Sequence, residues 1–165
     1  MNYSEIFYNG GDICIRPAIR SEISDLIKSG ISCDTRSNSN SDLKRKFRER
    51  GWQAEARIGH GRIDFRKEDV GLEVELRQKT NLIYDLLKLE LAARSEIISC
   101  GIIITYDQSV PIFGNAGMDA CIQKFDQLVK EFSGIIDFKL PLWVLGVREQ
   151  QMAKLLSELA GGMIT

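Results

Sequence analysis

Two short, wholly apolar runs, Gly101-Ile-Ile-Ile-Thr105 and Leu142 to Val147, constrain this chain more than any other feature. A β-branched run with no polar alternate positions suits a strand covered on both faces. Between the two runs, residues 117–133 place Cys121, Phe125, Leu128 and Phe132 at helical spacing, closed by Gly134. Two buried strands joined through a long helix need a right-handed crossover and pair in parallel. Helices must then cover both faces of the sheet, which places the chain in the α/β class.

The rest of the pattern fits around that pair. A helix is expected over about 17–29, ended by Gly30, and the polar stretch Ser37-Asn-Ser-Asn-Ser41 links it to a second helix. That second helix has Ser41 as N-cap candidate, Asp42 in its first turn, Leu43 and Phe47 on one face, and Gly51 at its end. Trp52 to Ile58 and Gly61 to Phe65 read as strands around Gly59-His60-Gly61, and Val70 to Leu76 alternates as a strand does. Asn81 to about Glu96 is helical, with Leu82, Leu86, Leu89 and Ala93 on one stripe. A last helix is expected over 148–160, before Gly161-Gly162. The sum is a mixed five- or six-stranded sheet flanked by helices on both faces. It forms a single domain: 1–41 as helical extension and linker, 42–147 as core, and 148–165 as C-terminal helix.

Composition excludes several classes. With 165 residues, 44% apolar and 27% charged, the chain suits one globular domain rather than a disordered or fibrous one. No apolar run approaches the ~18 residues of a membrane helix. The first twelve residues, MNYSEIFYNGGD, lack the basic flank and apolar stretch of an export signal, so a cytoplasmic location is expected. Cys14, Cys33, Cys100 and Cys121 form no CxxC pair and His60 is the sole histidine, which excludes a zinc finger and leaves reduced thiols. The net charge of −1 speaks against a polyanion partner until it is divided by region. Residues 1–35 carry net −2, residues 36–79 net +4, and residues 80–165 net −3. The centre of the chain is basic.

That basic centre also holds the strongest chemical signal, Arg62-Ile-Asp-Phe65 followed by Leu72-Glu-Val-Glu-Leu76. Glu73 and Glu75, two apart, project from one face of a strand, with Leu72, Val74 and Leu76 on the other. Asp64, nine residues before Glu73, is expected at the end of the preceding strand, where a turn of about four residues brings it alongside. Three converging carboxylates repel one another, and a hard divalent cation such as Mg²⁺ resolves that cost with oxygen ligands. The alternative is a half-exposed strand whose polar face happens to hold two glutamates. Glutamate is depleted in strands, and the apolar flanks suit a central strand, so clustering for function is the better reading.

An acidic residue on one strand and an acidic-x-Lys triplet on the next resembles the PD-(D/E)xK nuclease superfamily. The form Ile63-Asp64-Phe65 leading into Glu73-Val74-Glu75-Leu76 is similar to the type II restriction endonucleases of the BglII/BstYI family, related to BamHI. The resemblance continues through Arg94-Ser-Glu96, Ile102-Ile-Ile-Thr105, a loop with Pro111 and Asn115, and Pro141 to Val147, and covers roughly residues 42–147. It implies a restriction-endonuclease-like core and Mg²⁺-dependent cleavage of double-stranded DNA. It implies one or two metal ions per site, a homodimer on a short palindromic site with a GATC-like centre, and a companion DNA methyltransferase. By position, Asp64 and Glu73 match the metal-binding carboxylates, Glu75 the third catalytic position, and Glu55 a further polar residue of the site. Glu75 departs from the lysine of the superfamily and from the glutamine of the BglII/BstYI members, though BamHI has glutamate there. It could ligate a second metal or orient the attacking water as a base.

Other residues have a bland reading beside the functional one. Lys44, Arg45 and Arg48 lie on a basic helix that is either a solvated face or a phosphate contact, and Arg62, Arg66, Lys67, Arg77 and Lys79 flank the carboxylates along a duplex backbone. Gln108, Ser109 and Asn115 sit in a long polar loop after a buried strand, either an ordinary connection or the base-reading element. His60 is either a solvated turn residue or a phosphate contact. The leucine stripe at 82–93 is core or, second, a subunit interface, and Trp52 and Trp143 are core anchors. Two other functions stand beside the restriction enzyme: a structure-specific or repair nuclease on the same fold, and a catalytically inactive DNA-binding domain.

Overall fold

The computed structural model describes residues 3–28, 39–59, 61–76, 78–108 and 120–147, with 39–43 as backbone only. The chain runs β1 (Tyr3–Tyr8), α1 (Gly11–Cys14), α2 (Pro17–Lys28), α3 (Ser39–Glu49), β2 (Gln53–Ile58) and β3 (Gly61–Lys67). It continues through β4 (Val70–Val74), α4 (Lys79–Arg94), β5 (Cys100–Tyr106), α5 (Ile122–Phe132) and β6 (Leu142–Val147). Together the strands make one six-stranded sheet in the order β1-β6-β5-β4-β3-β2. Strand β5 is parallel to both β4 and β6, as the two intervening helices require. The sequence β2-β3-β4 is an antiparallel meander. The α/β class and the mixed sheet match expectation. The helix expected over 148–160, His60 and Cys33 lie outside the described residues.

Strand β1, like the four-residue α1, is an element that sequence reasoning does not find. It pairs antiparallel with β6 from Tyr3↔Val147 to Tyr8↔Leu142, and so closes the edge of the parallel strands. Tyr-Ser-Glu-Ile-Phe-Tyr shows neither strict alternation nor a continuous apolar run, because an edge strand here is half-buried along most of its length.

The sheet separates two cores. Helices α2 and α3 cover one face, where Ile23, Phe47 and Trp52 pack with Phe65, Leu72, Ile102 and Ile104. Helices α4 and α5 cover the other, where Leu82, Leu89 and Phe125 pack with Ile63, Ile103 and Val144. Successive isoleucines of β5 therefore enter different cores, which explains a run with no polar alternate position.

Two glycines set how closely α4 lies on the sheet. Gly71 and Gly101 are register partners across β4 and β5. A Cβ on Gly71 would stand 2.8 Å from a Leu89 methyl and one on Gly101 would stand 3.2 Å from the other. Leu89 thus presses into a side-chain-free patch. One turn back along α4 is about 6 Å, and two residues on along β4 is about 6.6 Å. The matching steps carry α4 from Leu89 above Gly71 to Asp85 above Glu73.

Candidate active site

The registers place three acidic residues in one row across the meander. Strands β2 and β3 pair at Ala54↔Phe65 and Ala56↔Ile63, so Glu55 faces Asp64. Strands β3 and β4 pair from Lys67↔Val70 to Phe65↔Leu72, so the next position sets Asp64 opposite Glu73. Ladder pairing stops there. The Asp64 N–H donates to Glu73 Oε2 at 3.3 Å, and the Val74 N–H donates to Asp64 Oδ2 at 3.0 Å. Carboxylates thus replace the ladder where β3 leaves β4, and the two side chains are locked to each other's strands.

Glu55 makes the irregularity visible in the backbone. Its φ of 54° lies in the left-handed region, which costs a non-glycine residue about 1–2 kcal/mol. Residues two apart on a regular strand share a face. Ala54 and Phe65, however, belong to the core under α2 and α3, whereas Ala56 and Ile63 belong to the core under α4 and α5. Both strands exchange faces at the Glu55–Asp64 step. Glu55 pairs with the Lys44 ammonium of α3. That hydrogen bond, with the charges of Lys44, Arg62 and Lys88, holds its carboxyl below the ordinary range. Glu55→Gly removes both the backbone strain and a half-exposed ion pair worth about 0–1 kcal/mol, so the melting temperature should stay within a few degrees while DNA cleavage falls about tenfold or more. Equal cleavage by the variant would show that the strained residue has no part in the site.

Glu73 is 1% exposed, at the bottom of the site beneath α4. Its Oε1 meets the Lys88 ammonium at 2.6 Å as an ion pair and has no other partner among the described residues. Lys88 also pairs with Asp85 at 2.8 Å. Burial, and then the charges of Asp64 and Asp85, push the Glu73 carboxyl up to about 9 against the pull of Lys88. Asp85 is raised to about 6, first by burial and then by Glu75 and Asp64, with Lys88 opposing. Burial alone would lower the Lys88 ammonium, but its hydrogen bonds to Asp85 and Glu73 raise it above its ordinary value. The site is a partly desolvated cluster of carboxylates, with Lys88 on Glu73 and Asp85 and Lys44 on Glu55.

Two expectations change. Asp64 stands in the middle of β3 rather than at its end, because β3 continues to Lys67 and only Glu68 and Asp69 separate it from β4. The expected convergence of three carboxylates as ligands is also absent: among the described residues no group of three or more His, Cys, Asp or Glu side chains is placed to hold a metal ion. Strand β4 ends at Val74, yet the Glu75 N–H still donates to the Ile104 carbonyl of β5 at 3.0 Å, and its Oε1 accepts the Gln78 N–H at 3.1 Å just before α4. Its charge still reaches Asp85.

Of the basic residues, Arg62 is exposed on β3, Arg48 and Lys79 are exposed, and Arg45 is exposed but paired with Glu49 at 2.6 Å. The Arg66 Nε donates to the Glu68 carbonyl at 2.9 Å. Lys67 is tied down by Glu22 at 2.7 Å and by the Arg50 carbonyl at 2.6 Å, where it joins α2, α3 and β3. Gln108 is exposed just past β5, and Arg77, Ser109 and Asn115 lie outside the described residues. Sequence reasoning passes over Asp85 and Lys88. The available signal is Asp85 itself, a carboxylate inside the apolar stripe of Leu82, Leu86 and Leu89.

The chain matches the family model for the restriction endonucleases BglII/BglIII over residues 15–147. It is similar to a crystal structure of the restriction endonuclease BglII complexed with a DNA 16-mer, with a TM-score of 0.74 and 20% identity over 90% of this chain and 77% of that one. It is also similar to a crystal structure of free BglII, with a TM-score of 0.67 and 20% identity over 89% of this chain and 79% of that one. No curated protein matches it. The family match spans the acidic row, the meander that holds it and α4 above it, and by that match the chain belongs to the BglII/BglIII family of restriction endonucleases.

Proposed function

We propose that this protein hydrolyses phosphodiester bonds of double-stranded DNA at a short palindromic site, with Mg²⁺ as cofactor. The observation that supports this most is the opened ladder at Asp64 and Glu73. Two hard oxygen donors face each other on adjacent strands, and the buried Oε1 of Glu73 has only the Lys88 ammonium against it among the described residues. Such a pair fits a small divalent cation, which commonly takes one or two carboxylates and completes its shell with water and phosphate oxygens. Asp64 and Glu73 would hold it. When bound, a metal lowers the pKa of its water and offsets charge on the phosphate and the leaving oxygen.

The chain's own residues do the positioning. Backbone hydrogen bonds from Asp64 and Val74 fix the two carboxylates on separate strands, so little reorganisation is needed when substrate arrives. Glu55, kept ionised by Lys44, stands on the far side of Asp64 and completes the row. Glu75, at the start of α4, would orient the attacking water as a base. Lys44, Arg45, Arg48, Arg62, Arg66, Lys79 and, outside the described residues, Arg77 would follow the duplex backbone. Lys67 would add its charge from the side while it fastens α2 to the sheet. Gln108, with Ser109 and Asn115 beyond the described residues, would read base edges.

A two-fold site calls for a two-fold protein. Tyr84 and Leu91 are 70% and 57% exposed on α4, with Leu87 between them, a surface stripe that a second copy would cover. Leu91→Glu should shift the protein from dimer to monomer in sedimentation, and an unchanged dimer would place the interface elsewhere. No helix among the described residues is long and apolar enough to cross a membrane. We place the enzyme in the cytoplasm, together with a methyltransferase that protects host DNA at the same site.

The deciding experiment is digestion of plasmid DNA with Mg²⁺, followed by sequencing of the ends. Discrete fragments with one common end sequence are expected, and a GATC-centred site is the specific expectation. A smear, cutting confined to branched DNA, or binding without cutting in any divalent ion would overturn the site-specific reading.

A further inference from the structure

We propose that Lys88 is a catalytic residue: the resident cation of Glu73, which yields that carboxylate to an incoming divalent metal and moves its ammonium to the scissile phosphate. This rests on the nuclease reading above and assigns a cation that reaches Glu73 from α4.

Three observations lead to it. The Lys88 Nζ is 2.6 Å from Oε1 of Glu73, a buried oxygen with no other partner among the described residues, so the ammonium occupies the approach a metal would take to that atom. It is held there from the other side by Asp85, at 2.8 Å, one helical turn earlier on the same rigid helix. The Lys88 side chain is 31% exposed while that of Glu73 is 1% exposed, so Lys88 reaches from solvent into the bottom of the site.

Electrostatics sets the outcome when a second cation enters. An ammonium and a divalent metal cannot both sit against one carboxylate oxygen at small cost, since like charges a few ångströms apart repel strongly in a partly desolvated site. The flexible four-carbon stem lets the ammonium move while Asp85 keeps it near, so Asp85 is a positioning residue. Its natural new partner is the phosphate, the anion that arrives with the metal. In contact with a non-bridging oxygen, Lys88 would stabilise charge that develops as the phosphodiester is attacked. Two further cations of the described residues, Lys44 and Arg62, act on Glu55, at the opposite end of the row.

Two measurements separate this from a structural role, because they move in opposite directions. Mn²⁺ titration calorimetry without DNA should show Lys88→Met binding the metal about tenfold more tightly than wild type, since the competing charge is gone. Single-turnover cleavage of plasmid by the same variant should fall about 100-fold, since the phosphate loses its partner. Lys88→Arg should stay near wild type in the titration and recover part of the cleavage. A merely structural lysine would loosen metal binding and cleavage together. Mn²⁺ binding by Lys88→Met no tighter than wild type, or cleavage within about threefold of it, overturns the proposal while leaving the nuclease reading intact. Wild-type protein that neither binds Mn²⁺ nor cuts DNA overturns both. Should Lys88→Met fail to fold, Lys88→Met combined with Asp85→Asn removes the orphaned charge as well and is read the same way.

Discussion

Asp64→Ala should lower Mg²⁺-dependent plasmid cleavage by about a thousandfold or more in single-turnover assays while the protein stays folded. Asp64 is the centre of the row, between Glu55 and Glu73, and its carboxylate is one of the two that face each other where the ladder opens. Its loss removes one of the two hard oxygen donors and leaves Glu73 alone across the opened ladder. Two smaller effects on stability oppose each other. The Val74 N–H loses its acceptor, which costs about 1 kcal/mol. The Asp64 charge that disfavours ionised Glu73 also disappears. Melting followed by circular dichroism should therefore differ from wild type by only a few degrees. Cleavage within about tenfold of wild type would remove Asp64 from the chemistry.

Glu73→Gln should also abolish cleavage, and it makes a sharper statement about stability. The Glu73 carboxyl is raised from an ordinary 4.5 to about 9 in the folded protein, so between those values the folded state binds more protons than the unfolded one. The stability this group contributes is complete below about 4.5 and is lost as pH rises through about 9. Asp85, raised to about 6, adds a smaller loss at the lower end of the window. Metal-free wild type should therefore melt progressively lower from pH 5 to pH 9. Glutamine can still accept the Asp64 N–H but never ionises, so the variant should match wild type near pH 5 and exceed it near pH 9, by about 2 kcal/mol or roughly 5 °C. Parallel melting curves across that range would show that Glu73 ionises freely in the fold.

Much of the architecture was legible in the sequence because it depends on periodicity. Ile102 to Ile104 and Leu142 to Val147 mark the parallel strands, and the spacing of Phe125 and Phe132 marks a helix between them. β1 escaped because pairing with β6, not hydrophobic pattern, makes Tyr3–Tyr8 a strand. Asp64 and Glu73 were legible for a similar reason: polar residues on strands otherwise rich in Ile, Val, Leu and Phe need a partner or a task. Alternation places Glu75 beside Glu73, and beyond the end of β4 at Val74 its Oε1 also accepts the Gln78 N–H, which no strand pattern foretells.

By itself the sequence determined the strands and helices other than β1 and the short α1, that two strands are buried on both faces, and which acidic residues lie near one another along the meander. Those properties are local, set by side-chain size, branching and spacing over a few residues. Only the tertiary structure decided that Glu55, Asp64 and Glu73 form one row, because the row depends on two strand registers and on a face exchange at a left-handed residue. Only it brought Asp85 and Lys88 over Glu73, since their approach depends on how closely α4 rests on Gly71 and Gly101. The charge balance of the site, with Lys88 between Glu73 and Asp85 at one end and Lys44 on Glu55 at the other, is therefore a property of packing.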